Sequence, residues 1–259
     1  SAAVLSDALE SVVNVAAGLM VVLSTWYAAR PPDREHPYGH GKVEFVAVGI
    51  EGAMVVTAGA LIVFESVRRM FVEVEVVQLG RGILMLAGIN LLLASVAAFV
   101  WIMGRRLHSP TLVANGKHLS TDVLTTLGVI VGLGLVNLTG NLWLDPALAL
   151  IVAAVILFAG WNLVTESWSG LTDRMDMEDD AAIRAILEAE IKAGQIIAYH
   201  KVRHRHTGAY HWVDMHLALP GDMTVREAHE RVSRIEGRIE RMLGHANATA
   251  HVEPPEAID

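Results

Sequence analysis

Apolar residues gather into five long runs over the first two thirds of the chain. Each run is near the ~20 residues a helix needs to cross a bilayer. They predict helices over about 4–29, 43–69, 80–104, 111–137 and 143–168. The breaks between them have chemical causes. Arg30-Pro31-Pro32 ends the first run, because proline cannot continue a helix, and a polar loop follows. An acidic linker precedes the third run, RRLHSP separates the third from the fourth, and LTGN makes a tight turn before the fifth.

The pattern changes at Gly170. Beyond it, Ile183, Ile186, Leu187 and Ile191 recur at helical spacing and predict an amphipathic helix over 178–193. Alternation with period two predicts strands over 197–206 and 210–219, joined by a hairpin turn at Thr207-Gly208-Ala209. A second helix over 224–243 and a short strand in TAHVEP complete the chain. The fold read from this pattern is an α-helical membrane bundle over 1–170 followed by an α+β domain over 171–259. That domain has the order αββαβ, an open sheet with helices on one face.

Composition agrees with the pattern. The 259 residues are 53% hydrophobic and 19% charged, too apolar for an ordinary soluble domain. A net charge of -8 speaks against nucleic acid as a partner. With no cysteine, any bound metal must be held by histidine, carboxylate or amide oxygen. Basic residues set the orientation. Arg30, Arg34 and Lys42 follow the first helix, and Arg105, Arg106 and Lys117 surround the third break. They outweigh Arg68, Arg69 and Arg81 and place both loops, and the C-terminal region, in the cytoplasm. The chain opens on Ser1 inside an apolar run, and the expectation is that one membrane helix precedes it.

Candidate chemistry starts in the fourth helix. His118 and Asp122 are four residues apart and share a helix face. Glu10 and Asn14 repeat the spacing in the first helix. Packed face to face, the pairs would offer one nitrogen and three oxygens, the ligand count of a tetrahedral metal site. The competing reading makes His118 a structural histidine hydrogen-bonded within the bundle. Glu51 and Asn90 are also intramembrane polar residues, read as interhelical hydrogen bonds in preference to proton relays. In the first loop, Asp33, His36 and His40 have the spacing D-x-x-H-x-x-x-H. Two readings stand: a clip for one metal ion, or a polar loop pinned by Pro37, Gly39 and Gly41. The C-terminal region carries His200, His204, His206, His211, His216, His229, His245 and His251. Such a tract without cysteine reads as metal binding. Alternation puts Asp214 and His216 on one strand face and His211 on the other.

These residues resemble the cation diffusion facilitator family over nearly the whole chain. SDALESVVN is similar to the family's second-helix motif, KHLSTD to its fifth-helix His-x-x-x-Asp, and HPYGHGKVE to its first cytoplasmic loop. The resemblance implies six membrane helices, of which five are present, and a cytoplasmic ferredoxin-like domain in a homodimer. It implies that Glu10, Asn14, His118 and Asp122 form the transport site and that Asp33, His36 and His40 form a loop site. It places His200, His216, His229, His251 and Glu253 in a binuclear site of the soluble domain. Lys42 and Asp173 match a charge interlock in the dimer. One departure stands out: the second-helix pair is Glu and Asn here, where two carboxylates, or a His and an Asp, are usual. A neutral amide oxygen is harder than imidazole and puts metal identity in question.

The expected function is a secondary transporter, not an enzyme, that exports a divalent transition metal from the cytoplasm in exchange for protons. Zinc leads, followed by iron, manganese, cobalt and cadmium. Metal ions are expected as substrate and as regulatory ligands of the cytoplasmic domain. The expected setting is multi-pass in a bacterial inner membrane, with bilayer, protons and a second copy as partners. The rival is a metal-sensing membrane scaffold that dimerises without transport. An intramembrane metalloprotease is excluded for want of a His-Glu-x-x-His motif.

Overall fold

The computed structural model describes residues 18–71, 80–140 and 143–257. The chain forms two compact units: residues up to Pro31 with Lys42–Trp168, and Pro32–Gly41 with Ser169–Asp259.

The first unit is helical. A helix is described over Gly18–Ala28 (α1), followed by α2 (Val43–Arg69), α3 (Gly80–Leu107), α4 (Pro110–Thr139) and α5 (Leu144–Leu171). Among the described residues, three helices are long and apolar enough to cross a membrane: Val43–Arg68, Ala87–Leu107 and Pro146–Leu171. The middle of α4 carries Lys117, His118 and Asp122 and is correspondingly more polar. Large apolar side chains point outward, among them Phe64, Leu91, Phe99, Phe158 and Trp161, as a lipid-facing surface requires. The helices touch through small residues. A Cβ on Gly52 would meet Leu163 and Val164 of α5 at 2.9 Å, and one on Gly116 would meet the Trp101 backbone of α3 at 2.8 Å. Without hydrocarbon–water contrast to drive association, close backbone approach supplies the packing. Arg30 stacks over Trp26 at the end of α1, and Arg105 lies 5.3 Å from the Trp101 ring at the end of α3. Such aromatic–cation pairs suit the headgroup region.

The second unit has a water-soluble design. Helices α6 (Met177–Lys192) and α7 (Val225–Leu243) cover one face of a three-stranded sheet of β1 (Ala198–Thr207), β2 (Tyr210–Ala218) and β3 (Ala246–Glu253). A short 3-10 turn, Pro255–Ala257, follows. The sheet order is β1-β2-β3, with β1 antiparallel and β3 parallel to central β2. Ile183 and Leu187 of α6 and Val232, Ile235 and Ile239 of α7 pack on Val202, Val213, Met215, Leu217 and Ala248. Asp176 caps α6, and Thr224 with Glu227 forms a capping box on α7.

Candidate metal centres

On the uncovered face of the sheet, register brings two ligand types together. His200 lies opposite His216, His216 lies opposite His251, and Glu253 lies opposite Ala218. The Glu253 carboxylate bridges the first two rings, pairing with His200 Nε2 through Oε1 and with His216 Nδ1 through Oε2 at 3.1 Å. One ligand atom from each of His200, His216 and Glu253 lies within 4.8 Å of the others. The His251 ring is 4.7 Å from His216, centroid to centroid, so it borders this group. His229 is exposed on α7 and is not part of it. Burial of Glu253 pushes its carboxyl up, but the hydrogen bonds to His216 and His200 outweigh that and hold it below its ordinary value. It is therefore a carboxylate, acceptor-only and ready to ligate.

A β-bulge makes this arrangement possible. The register shifts between His200 and Arg203, and Lys201 sits at φ 47°. A regular strand would put His200, His204 and His206 on one face, since all are even-numbered. The extra residue turns His200 to the open face and leaves His204 and His206 on the helix-covered face with Val202. There His204 is buried, with neither ring nitrogen hydrogen-bonded among the described residues. His206 faces His211, whose Nδ1 is 3.2 Å from Asp179 of α6. The sequence carried no signal for the bulge: no glycine or proline marks it.

The second cluster is the loop Asp33, His36 and His40, whose ligand atoms also lie within 4.8 Å of one another. Asp33 Oδ1 accepts from the backbone N–H of Glu35 at 2.9 Å and of His36 at 2.7 Å. Its other oxygen is 3.4 Å from His40 Nε2. The His36 backbone N–H is the main reason the Asp33 carboxyl lies below its ordinary value. This loop belongs to the second unit. Tyr38 meets the edge of Trp212 with centroids 4.9 Å apart, and the Arg205 guanidinium lies 4.7 Å from the Tyr38 ring. A side chain at Gly41 would collide with the Thr207 carbonyl, so only glycine lets the loop lie this close. Asp173, expected in a charge interlock, accepts from Arg205 Nη1 at 3.3 Å.

Of the intramembrane quartet, Glu10 and Asn14 fall outside the described residues. His118 is 9% exposed, and neither of its ring nitrogens has a hydrogen-bond partner among the described residues. Asp122 is half-buried one turn further along α4. Asn90 does make the interhelical bond expected of it, donating to the Val123 carbonyl at 3.1 Å. Glu51 does not: it is fully buried, and neither oxygen is bonded among the described residues.

Comparison with known proteins gives these clusters a setting. Residues 1–172 match the cation efflux transmembrane domain, and 175–255 match the cation efflux protein cytoplasmic domain. The chain is 35% identical to an uncharacterized transporter of Synechocystis sp. over 99% of this chain and 82% of that protein. It is 24% identical to the manganese efflux system protein of Bacillus subtilis, covering 99% and 87% of the two chains. It is 26% identical to the cation-efflux pump of Yersinia pestis, covering 98% and 84%. Among solved structures, the metal-bound C-terminal domain of the CzcD transporter from Thermotoga maritima aligns at 23% identity and a TM-score of 0.29. That alignment covers 33% of this chain and 100% of that one. With a transmembrane domain and a cytoplasmic domain matched in turn, the chain belongs to the cation efflux family of multi-pass membrane transporters.

Proposed function

We propose that the protein exports a divalent transition metal from the cytoplasm in exchange for protons, as a homodimer, with zinc the leading substrate. The observation that carries this reading is His118. An imidazole nine-tenths buried in a membrane helix, with neither nitrogen bonded among the described residues, is costly unless it meets an ion or a proton. Asp122 one turn along supplies an anionic ligand, and Glu10 and Asn14 would complete the set. Metal ligands must shed protons to bind, so metal and proton compete for the same atoms. Under alternating access, that competition couples two opposed fluxes. The open-face cluster of His200, His216, Glu253 and His251 and the loop Asp33, His36 and His40 would hold regulatory metal ions.

The names of relatives support a transition-metal cargo, one being a manganese efflux protein and another a cation-efflux pump. Manganese and iron are therefore the competitors to test against zinc. The test is metal flux into proteoliposomes holding the purified chain, with a pH gradient imposed. Zinc flux should rise with the opposing proton gradient. His118→Ala should lose more than about 100-fold in rate, exceeding the usual cost of disturbing a ligand's supporting shell, while the dimer stays intact by size exclusion. Wild-type flux in His118→Ala would overturn this site.

A further inference from the structure

Glu51 is a carboxylate that nothing above accounts for. It lies in the middle of α2, fully buried, with both oxygens lacking a hydrogen-bond partner among the described residues. Neither a buried charge nor a buried polar group is tolerated without compensation. Where it sits along the bundle explains what could compensate it.

Helix α5 serves as a ruler for its neighbours. Gly52 of α2 lies against Leu163 and Val164, and Gly59 lies against Ile156 and Leu157, so α2 runs antiparallel to α5. Lys117 of α4 binds Glu166 at 2.6 Å, and Gly128 lies against Val152, so α4 also runs antiparallel to α5. Helices α2 and α4 are therefore parallel. On the ruler, residue 51 falls beside 164–165 and residue 118 beside 165. A second measure agrees. Ser109, just before α4, donates to the Glu44 carboxylate on α2, and Thr111 of α4 donates to the Glu44 carbonyl. Seven residues beyond Glu44 and Thr111, about 10 Å deeper at 1.5 Å per residue, stand Glu51 and His118.

They also share a face. Val48 and Val55 of α2 pack with Ala114 of α4 in one buried cluster. Glu51 is three residues after Val48 and four before Val55, and His118 is four after Ala114, so both continue the packed stripes. A carboxylate and an imidazole thus stand at one depth on facing stripes, each buried and neither bonded to the other.

We propose that Glu51 is a cation ligand of the intramembrane site, joining His118 across the α2–α4 interface. A divalent cation between them satisfies both groups at once, which no residue in the described bundle does. The added carboxylate makes the ligand set richer in hard oxygen and shifts its preference toward manganese and away from softer ions. Glu51 thereby acts in specificity as well as in binding. This proposal rests on the reading of His118 as a transport ligand.

The test is zinc and manganese flux through the full chain in proteoliposomes, comparing wild type, Glu51→Gln, Glu51→Asp and His118→Ala. Glu51→Gln preserves shape and removes the charge. It should raise KM for both metals at least tenfold, with an unchanged dimer by size exclusion. Glu51→Asp, which keeps the charge on a shorter stem, should recover part of the flux with an altered zinc-to-manganese ratio. Wild-type KM and selectivity in both Glu51 variants, beside an inactive His118→Ala, would overturn Glu51 as a ligand and leave the transport site standing. Wild-type flux in His118→Ala would overturn the site and the role of Glu51 with it. Should Glu51→Gln not assemble, Glu51→Asp decides alone: an unchanged metal ratio overturns the proposal.

Discussion

The two units treat their candidate metal-ligating histidines in opposite ways. On the open face of the sheet, His200 and His216 are already bound to Glu253, so the cluster is internally satisfied before any ion arrives. In the helical unit, His118 and Glu51 are buried with no such partners among the described residues. A metal entering the first cluster must displace hydrogen bonds that already exist. A metal entering the second meets groups that cost free energy until it comes.

Three experiments would break or sharpen this contrast. The largest effect should come from metal on the cytoplasmic domain. Its core lies wholly within residues 183–248, so residues 169–259 expressed alone should fold. Zinc at a hundred times Kd should add about 2.7 kcal/mol, or on the order of 10–20 °C in Tm for a domain this size. His200→Ala should remove most of that gain by differential scanning calorimetry. An equal zinc-dependent shift in His200→Ala would show that the open face is not where zinc binds.

Next is the capping box of α7, which touches no metal cluster. Thr224→Ala should cost about 1 kcal/mol in urea unfolding of the same domain. The Thr224 hydroxyl is the main reason Glu227 lies below its ordinary value of 4.5. A depressed carboxyl stabilises the fold fully above that value and loses its effect as pH falls through the folded one. The difference between wild type and Thr224→Ala should therefore hold down to about pH 4.5 and shrink as pH is lowered further. A gap that stays constant with pH would separate Glu227 from the cap.

The smallest effect belongs to Asn90, the satisfied polar residue of the helical unit. Asn90→Leu should cost about 0.6 kcal/mol, the average for interhelical hydrogen bonds in a membrane, read by unfolding in mixed micelles. A loss of transport far beyond what that predicts would move Asn90 from packing to mechanism.

Helices, strands and their order along the chain were readable because periodicity reports burial directly. The expected helix over 43–69 has the bounds of α2, and the strands over 197–206 and 210–219 lie within a residue of β1 and β2. The final strand starts earlier than TAHVEP, at Ala246, because its pairing is supplied from elsewhere. Glu240 and Glu236 of α7 accept from the backbone N–H groups of Ala248 and Ala250, a tertiary bond that no local propensity encodes. The same limit applies to the sites. The spacing of Asp33, His36 and His40 placed three ligands on one loop, but not the docking of Tyr38 on Trp212. The histidine tract marked the cytoplasmic domain, but the bulge at Lys201 decides which rings meet Glu253 and which are buried beneath the helices. Glu51 read as an ordinary hydrogen-bonding residue because its sequence neighbours are apolar. The registers of α2 and α4 against α5, and the bonds from Ser109 and Thr111 to Glu44, bring it level with His118.

The loop of Pro32–Gly41 makes the second unit discontinuous in the gene. A fragment cut at residue 169 carries the sheet, both helices and the open-face cluster, yet lacks ten residues' worth of its own surface. Trp212 would lose its edge contact with Tyr38, worth about 0.5–1.5 kcal/mol, and Arg205 would lose the ring it lies over. Reattaching HPYGHG through a short linker, rather than lengthening the fragment at its start, is the way to restore the missing piece. Evolution faces the same constraint: substitutions at Tyr38 and Trp212, 174 positions apart, must be tolerated together.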